Sequence, residues 1–154
     1  TDDAECVLFN DIPDYDPALA LDEKENERWA LVICFRDLVN KALEQAKEQG
    51  IKKNQDAEVT LCLDVESLEG WKNGTYLSGF EEADLAEIFI VSSVTITGET
   101  TDDGCWIAEL PSATAYVKLS EAPKCPRCWN HDGHIGTPGH HAELCDRCAA
   151  VLGE

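Results

Sequence analysis

Methionine is absent from all 154 residues. A chain without an initiator residue reads as processed or, more simply, as cut from a longer protein. No apolar run approaches the roughly 20 residues that a membrane-spanning helix needs. Residues 1–11 have neither the basic start nor the apolar stretch of a signal peptide. Cationic side chains are scarce: 12 Lys and Arg stand against 31 Asp and Glu, for a formal net charge of −19. That balance excludes generic nucleic-acid binding by the whole surface, which calls for a basic footprint. No internal repeat and no low-complexity tract is present. A chain of this length buries about 70% of its unfolded surface, and its 44% hydrophobic content can fill a core.

The acidity is uneven. Residues 1–117 hold 8 basic and 26 acidic side chains, whereas residues 118–154 hold 4 and 5. The C-terminal end is therefore the one segment that does not strongly repel phosphate; elsewhere the acid reads as a solubilising surface. Of the eight cysteines, four fall into two C-x-x-C pairs, and Cys6, Cys34, Cys62 and Cys105 stand alone. Cys34 lies in an apolar helical pattern and Cys62 in a strand pattern, so both are expected to be core thiols. Paired cysteines at metal-site spacing point to a reducing, cytoplasmic compartment rather than to a disulfide framework.

Residues 1–21 read as an extended lead-in with one turn around residues 12–15. Asp22 has the character of an N-cap, with Glu25 three positions on, an arrangement that satisfies the free N–H groups of a first turn. Apolar residues follow at Leu31, Phe35, Leu38 and Ala42, with a second row at Trp29, Val32, Val39, Leu43 and Ala46. Steps of three and four predict one long helix, stopped by Gly50 and expected to pack on other helices. Residues 57–63 alternate Ala57, Val59, Leu61 and Leu63 with Glu58, Thr60 and Cys62, which predicts a strand. Residues 67–79 are ambiguous, apart from a turn at Asn73-Gly74. Residues 81–87 have helical composition, and 88–97 are β-branched and predict a strand. A polar loop is expected over 98–104 and a further strand over 113–119. The expected fold is α+β: a long helix with a small mixed α/β module, then a zinc knuckle. The segments are 1–55, 56–122 and 123–154.

The chemistry is concentrated after Lys124. Cys125 and Cys128 form the first C-x-x-C pair, Cys145 and Cys148 the second, and 16 residues separate them. Each pair aims two sulfurs at one point, and two pairs supply the tetrahedral thiolate shell that Zn²⁺ takes in structural sites. Four thiolates leave no open position for water, so one structural, non-catalytic zinc is expected. Two redox dithiols are the alternative, but no thioredoxin-like βαβ context surrounds them. His131, His134, His140 and His141 lie between the pairs. They could replace a Cys, but with four thiolates present they are assigned to solvent or phosphate contacts. No pairing of carboxylate, histidine and nucleophile at catalytic spacing is visible.

Lys124-Cys125-Pro126-Arg127-Cys128-Trp129, with Cys145-Asp146-Arg147-Cys148, closely resembles the C-terminal zinc knuckle of bacterial isoleucyl-tRNA synthetases. Trp29 and the run Arg36-Asp37-Leu38-Val39-Asn40-Lys41-Ala42-Leu43-Glu44 resemble the last long helix of that family's anticodon-binding region. Ala57-Glu58-Val59 and Phe89-Ile90-Val91-Ser92 resemble the strands that follow it. Residues 70–80 fit this pattern poorly. The tetrapeptide His134-Ile135-Gly136-Thr137 is similar to the nucleotide-binding HIGH motif of class I synthetases. It lacks the last His and a strand-to-helix setting, and is set aside as coincidence.

The resemblance implies a tRNA-recognition region that positions tRNA(Ile) through its anticodon stem-loop and works with the remainder of an ATP-dependent isoleucine–tRNA ligase. It would be non-catalytic alone, monomeric and cytoplasmic, with no membrane partner. Lys124, Arg127, Trp129 and Arg147 around the metal, with Arg36 and Lys41 on the helix, are the candidate RNA contacts. Arg pairs with phosphate and Trp stacks on an unpaired base; packing over the zinc shell is the alternative for Trp129, and solvation for Lys41. Two other classes remain open. A formamidopyrimidine-type DNA glycosylase has similar finger spacing, but needs an N-terminal Pro followed by an acid where this chain has Thr1-Asp2. It also expects an Arg near His140-His141-Ala142-Glu143. The third is a stand-alone zinc protein-interaction module, which failure to bind tRNA would favour.

Overall fold

A computed structural model describes residues 6–10, 14–101 and 105–153. Helix α1, Glu23–Glu48, is the longest element. Asp22 caps it, its Oδ1 accepting the Glu25 N–H at 2.8 Å. The helix ends at Gln49, and Gly50 follows at φ +134°, a conformation that side chains disfavour. The predicted stripe is the buried one: Val32, Phe35, Leu38, Val39, Ala42, Leu43 and Ala46 all face the core. Cys34 falls outside it and is exposed. The expectation of a core thiol fails there because Cys34 lies beside the stripe, between Leu31 and Leu38 on the core side and exposed Ala30 and Asp37 on the other. Cys62 is half-buried, and burial pushes its thiol pKa up.

Strand β1, Ala57–Leu63, follows. Helices α2, Val65–Lys72, and α3, Glu82–Phe89, lead to β2, Ser93–Thr97. Strands β3, Trp106–Leu110, and β4, Ala113–Leu119, complete the module. The sheet order is β2-β1-β4-β3. Strand β1 runs parallel to β2 and antiparallel to β4, and β3 is antiparallel to β4. The turn expected near residues 12–15 and the loop expected over 98–104 fall partly outside the described residues.

The long helix packs chiefly on this sheet, and on one neighbouring helix besides. It crosses β3 and β4 and meets α3, which covers β2. Helix, sheet and α3 share one continuous core. Alanine recurs among its buried positions, as Ala42 and Ala46 in α1 and Ala108, Ala113 and Ala115 in the strands. Small side chains let a helix approach a pleated surface closely. Phe35, Phe89, Leu38, Leu43, Leu61 and Leu85 supply the bulk, each contributing about 1.5–3 kcal/mol on burial.

Residues 88–97 are not one strand. Helix α3 continues through Phe89, whose burial with Leu85 and Ala86 favours another turn. Ile90 then adopts φ +60° and closes the helix. At the border of the sheet, the Ile96 N–H donates to Glu82 Oε1 at 2.7 Å. Asn73 caps α2 and Gly74, at φ +75°, makes the turn after it. Arg28 ties the following loop to α1, donating to the Ser78 carbonyl at 2.9 Å and lying over the Phe80 ring. No helix is long and apolar enough to cross a membrane among the described residues.

Candidate metal centre and its surroundings

The knuckle begins where Lys124 and His131 form an isolated antiparallel bridge. Between them the Cys125 N–H donates to the Asn130 carbonyl and the Trp129 N–H to the Cys125 carbonyl, both at 2.9 Å. This tight reversal brings the sulfurs of Cys125 and Cys128 to one side. Cys145 is the N-cap of the short helix α4, Asp146–Leu152, and Cys148 lies one turn along. A first-turn i, i+3 pair on a helix again aims two side chains at one point.

The four sulfurs lie within 4.8 Å of one another. Cys128 Sγ and Cys145 Sγ are 3.6 Å apart. A tetrahedral zinc with Zn–S bonds of ~2.3 Å requires sulfurs separated by ~3.8 Å, so the donor set fits one structural Zn²⁺. Cys125, Cys145 and Cys148 are buried, with Cys128, Ile135 and Leu144 packed around them.

The thiols differ electrostatically. Burial by itself raises the Cys125 pKa, but N–H groups of Cys145, Cys128 and Arg127 outweigh it and hold the thiol down at about 6. Cys145 is pushed up to about 12, chiefly by burial and also by its neighbouring thiols. Crowded sulfurs resist shedding all their protons together, and a divalent ion supplies the charge that lets them do so. Arg147 stands beside this cluster. Its guanidinium pKa is raised first by Glu87 and then, against desolvation, by the Cys128 sulfur.

The histidines do not enter the thiolate cluster. His131 joins the knuckle to the sheet module. Its Nδ1 donates to the Ala122 carbonyl at 2.6 Å, and its backbone N–H donates to Ser92 Oγ at 2.7 Å. Ser92 Oγ in turn donates to the Gln55 carbonyl at 2.5 Å. His131 Nε2 is 3.4 Å from Asp56 Oδ1, an oxygen that also binds Lys124. Arg147 reaches Glu87 Oε1 at 2.5 Å. A cleft of about 350 Å³ runs along this junction, lined by Glu58, Glu87, Ser92, His131 and Arg147 among others.

The sequence-predicted contacts thus occupy different settings. Lys124 and Arg147 are engaged with carboxylates of the preceding module. Arg127 is exposed on the first turn of the knuckle, and Arg36 and Lys41 are exposed on α1. Trp129 is 53% exposed rather than packed over the sulfurs. It adopts φ +68°, a left-handed conformation costing about 1–2 kcal/mol for a residue with a side chain. Lys53 lies over the ring, its Nζ 4.5 Å from the centroid. Lys53, Asp56, Glu87 and Ser92 escaped the sequence reading. Only the charge of the first three and the hydroxyl of Ser92 are visible in the chain, not the partners 37–76 positions away.

Residues 122–151 match the family described as the zinc finger found in FPG and IleRS. Across 149 residues the chain is 33% identical to the isoleucine–tRNA ligase of Staphylococcus epidermidis, covering 96% of this chain and 15% of that protein. It is 36% identical over 132 residues to the ligase of Geobacter sulfurreducens, covering 85% of this chain and 14% of that protein. For the ligase of Desulfitobacterium hafniense the figures are 35% over 136 residues, 86% and 14%. The chain therefore spans about one-seventh of the length of these relatives. The similarity runs through helix, sheet and knuckle together, and corresponds to the C-terminal region of the isoleucyl-tRNA synthetases.

Proposed function

We propose that this chain, matching the C-terminal region of the isoleucine–tRNA ligases, holds the anticodon stem-loop of tRNA(Ile). Catalytic domains elsewhere in the parent enzyme charge the tRNA with isoleucine using ATP. The zinc held by Cys125, Cys128, Cys145 and Cys148 is the folding element of the recognition surface. The exposed Trp129 ring carries this reading. A large aromatic is held outward at a backbone cost, on the segment that does not strongly repel phosphate. Base stacking is the interaction such a ring offers, and Lys53 and Arg127 nearby suit the phosphates. Lys124 and Arg147 act mainly as docking residues, and Arg36 and Lys41 as outlying phosphate contacts. The chain works as a monomer beside the rest of the synthetase and in the cytoplasm.

The test is to separate the two half-reactions in the full ligase. Changing Cys145 to Ser should leave isoleucine-dependent pyrophosphate exchange nearly intact and depress transfer to tRNA. Equal loss of both steps would point to general destabilisation, and normal transfer by a zinc-free enzyme would refute the role. The 154-residue chain alone should show no pyrophosphate exchange, since nothing among its described residues forms a nucleotide-binding core.

A further inference from the structure

The loop between the two cysteine pairs builds a second cluster of metal-capable donors, separate from the sulfurs. His134, His140 and Asp146 each offer one ligand atom, all within 4.8 Å of one another. His134 Nδ1 lies 3.1 Å from Asp146 Oδ2, and His140 Nδ1 lies 2.8 Å from Asp146 Oδ1. The two imidazoles are stacked, with centroids 4.7 Å apart and planes 12° from parallel. Asp132 adds a second carboxylate, its Oδ1 3.5 Å from His134 Nδ1.

The local sequence explains how two histidines six positions apart come to share a carboxylate. Asp132 Oδ1 accepts the His134 backbone N–H. The His134 carbonyl accepts both the N–H and the hydroxyl of Thr137, and the Thr137 carbonyl accepts the His140 N–H. Gly136 and Gly139 turn the chain at φ +75° and +88°. These consecutive turns fold the loop back so that one ring lies on the other. Asp146 is fixed independently, in the first turn of α4 next to Cys145.

We propose that His134, His140 and Asp146 form a second, surface site for a borderline divalent transition-metal ion, with Zn²⁺ the natural occupant. The donor chemistry selects the class: imidazole nitrogen with carboxylate oxygen suits Zn²⁺, Cu²⁺, Ni²⁺ and Co²⁺ rather than Mg²⁺ or Ca²⁺, which take oxygen shells. The spacing agrees. Zn–N and Zn–O bonds of about 2.0–2.2 Å place tetrahedral ligands ~3.3–3.5 Å apart, a few tenths of an ångström beyond the hydrogen bonds seen. An ion replacing the two Nδ1 protons needs that small expansion and a rotation of one exposed ring out of the stack, so that both nitrogens face it. All three donors are exposed, so water completes the shell, and the ion exchanges more readily than one enclosed by four buried thiolates. The site is independent of the RNA-binding role.

The test loads the full 154-residue chain, with thiols reduced, with one equivalent of Zn²⁺ and then titrates in Co²⁺. Calorimetry should report a second equivalent. The ring resonances of His134 and His140 should shift or broaden with it, and those of His131 should not. His140→Gln and Asp146→Asn should each weaken this second step by at least about tenfold. Both variants should keep the thiolate-to-cobalt charge-transfer bands of chain loaded with Co²⁺ alone, which shows that the first site still folds. Saturation at one equivalent overturns the proposal. So does a second equivalent that leaves the His134 and His140 resonances unmoved, which would place the ion on the other cysteines or surface acids. The resonance measurement on the unaltered chain decides the matter even where a variant unfolds.

Discussion

The ammonium group of Lys53 lies 4.5 Å from the centre of the Trp129 indole. The two residues come from either side of the sheet module in sequence, so the contact joins the module to the knuckle at the most exposed aromatic of the metal-bearing segment. It also sets a cation beside a ring available for stacking. If the surface receives RNA, Lys53 and Trp129 meet it as one unit.

Trp129→Gly separates the ring's structural and recognition roles. Glycine relieves the left-handed backbone, about 1–2 kcal/mol, and forfeits the cation–π contact, about 0.5–1 kcal/mol. The two effects oppose each other and leave a net gain in stability of about 0–1.5 kcal/mol. Loss of one stacked base should cost the full ligase ~1–3 kcal/mol of tRNA affinity. Thermal melts and tRNA titrations at one fixed salt concentration measure both. Unchanged affinity would remove Trp129 from the interface.

Glu87→Gln tests Arg147. The bridge joins two exposed side chains, so breaking it should cost only about 0–1 kcal/mol of stability. The freed guanidinium should bind tRNA phosphate more strongly. The expected outcome is a severalfold gain in affinity at low salt, with the salt slope steeper by roughly 0.7–0.9. An unaltered slope would mean that Arg147 faces no phosphate.

Metal removal should act locally. Cys145→Ser should leave the chain with well under one bound zinc. It should unfold residues 124–150 while the helix and sheet keep their slow hydrogen exchange. Structural zinc contributes on the order of 10 kcal/mol in comparable peptides. The side chains packed around the sulfurs are few, chiefly Ile135 and Leu144, and cannot replace it. Loss of protection in α1 or β1 in the same experiment would contradict this division.

Asp56 sets a pH dependence on the docking of the knuckle. The hydrogen bond from Lys124 holds its carboxyl pKa below the usual carboxylate range, against an opposing effect of burial and with help from His131. A depressed carboxylate pKa contributes stability that is complete above the unfolded value, near 3.8, and is lost as pH falls through the folded one. Asp56→Asn should therefore destabilise the chain by about 1 kcal/mol at neutral pH. The gap from the parent chain should close on acidification below about pH 4. Denaturant unfolding of both chains at matched pH values measures this; a gap that stays constant would show that Asp56 is not the titrating partner.

The legible parts of the chain are those whose determinants lie within a few residues. Helix α1 combines the Asp22 cap with an unbroken stripe from Val32 to Ala46, and β1 and β4 alternate visibly. The zinc ligands come as two self-contained pairs. Strand β3 was hidden: five residues, Trp106–Leu110, give only a short alternation after a polar stretch, and pairing with β4 defines them. The stretch from Ile88 departs from the expected strand because β-branched composition competes with the burial of Phe89, and burial against the core wins. The packing of α1 on the sheet was illegible because a stripe of apolar residues does not say what will cover it. The same holds for Asp56 with Lys124 and Glu87 with Arg147, whose charges could have met water instead.

At the margin of the sheet, Glu82 spends a carboxylate on a single amide, that of Ile96. An unclaimed amide there would invite another polypeptide to continue the ladder. A newcomer must instead evict an anion and approach a surface already rich in negative charge. Glu82 thus guards against polymer growth, a hazard that rises with the square of concentration and is greatest while many copies are being made at once. Its loss would go unnoticed in dilute assays and emerge as turbidity in concentrated stocks.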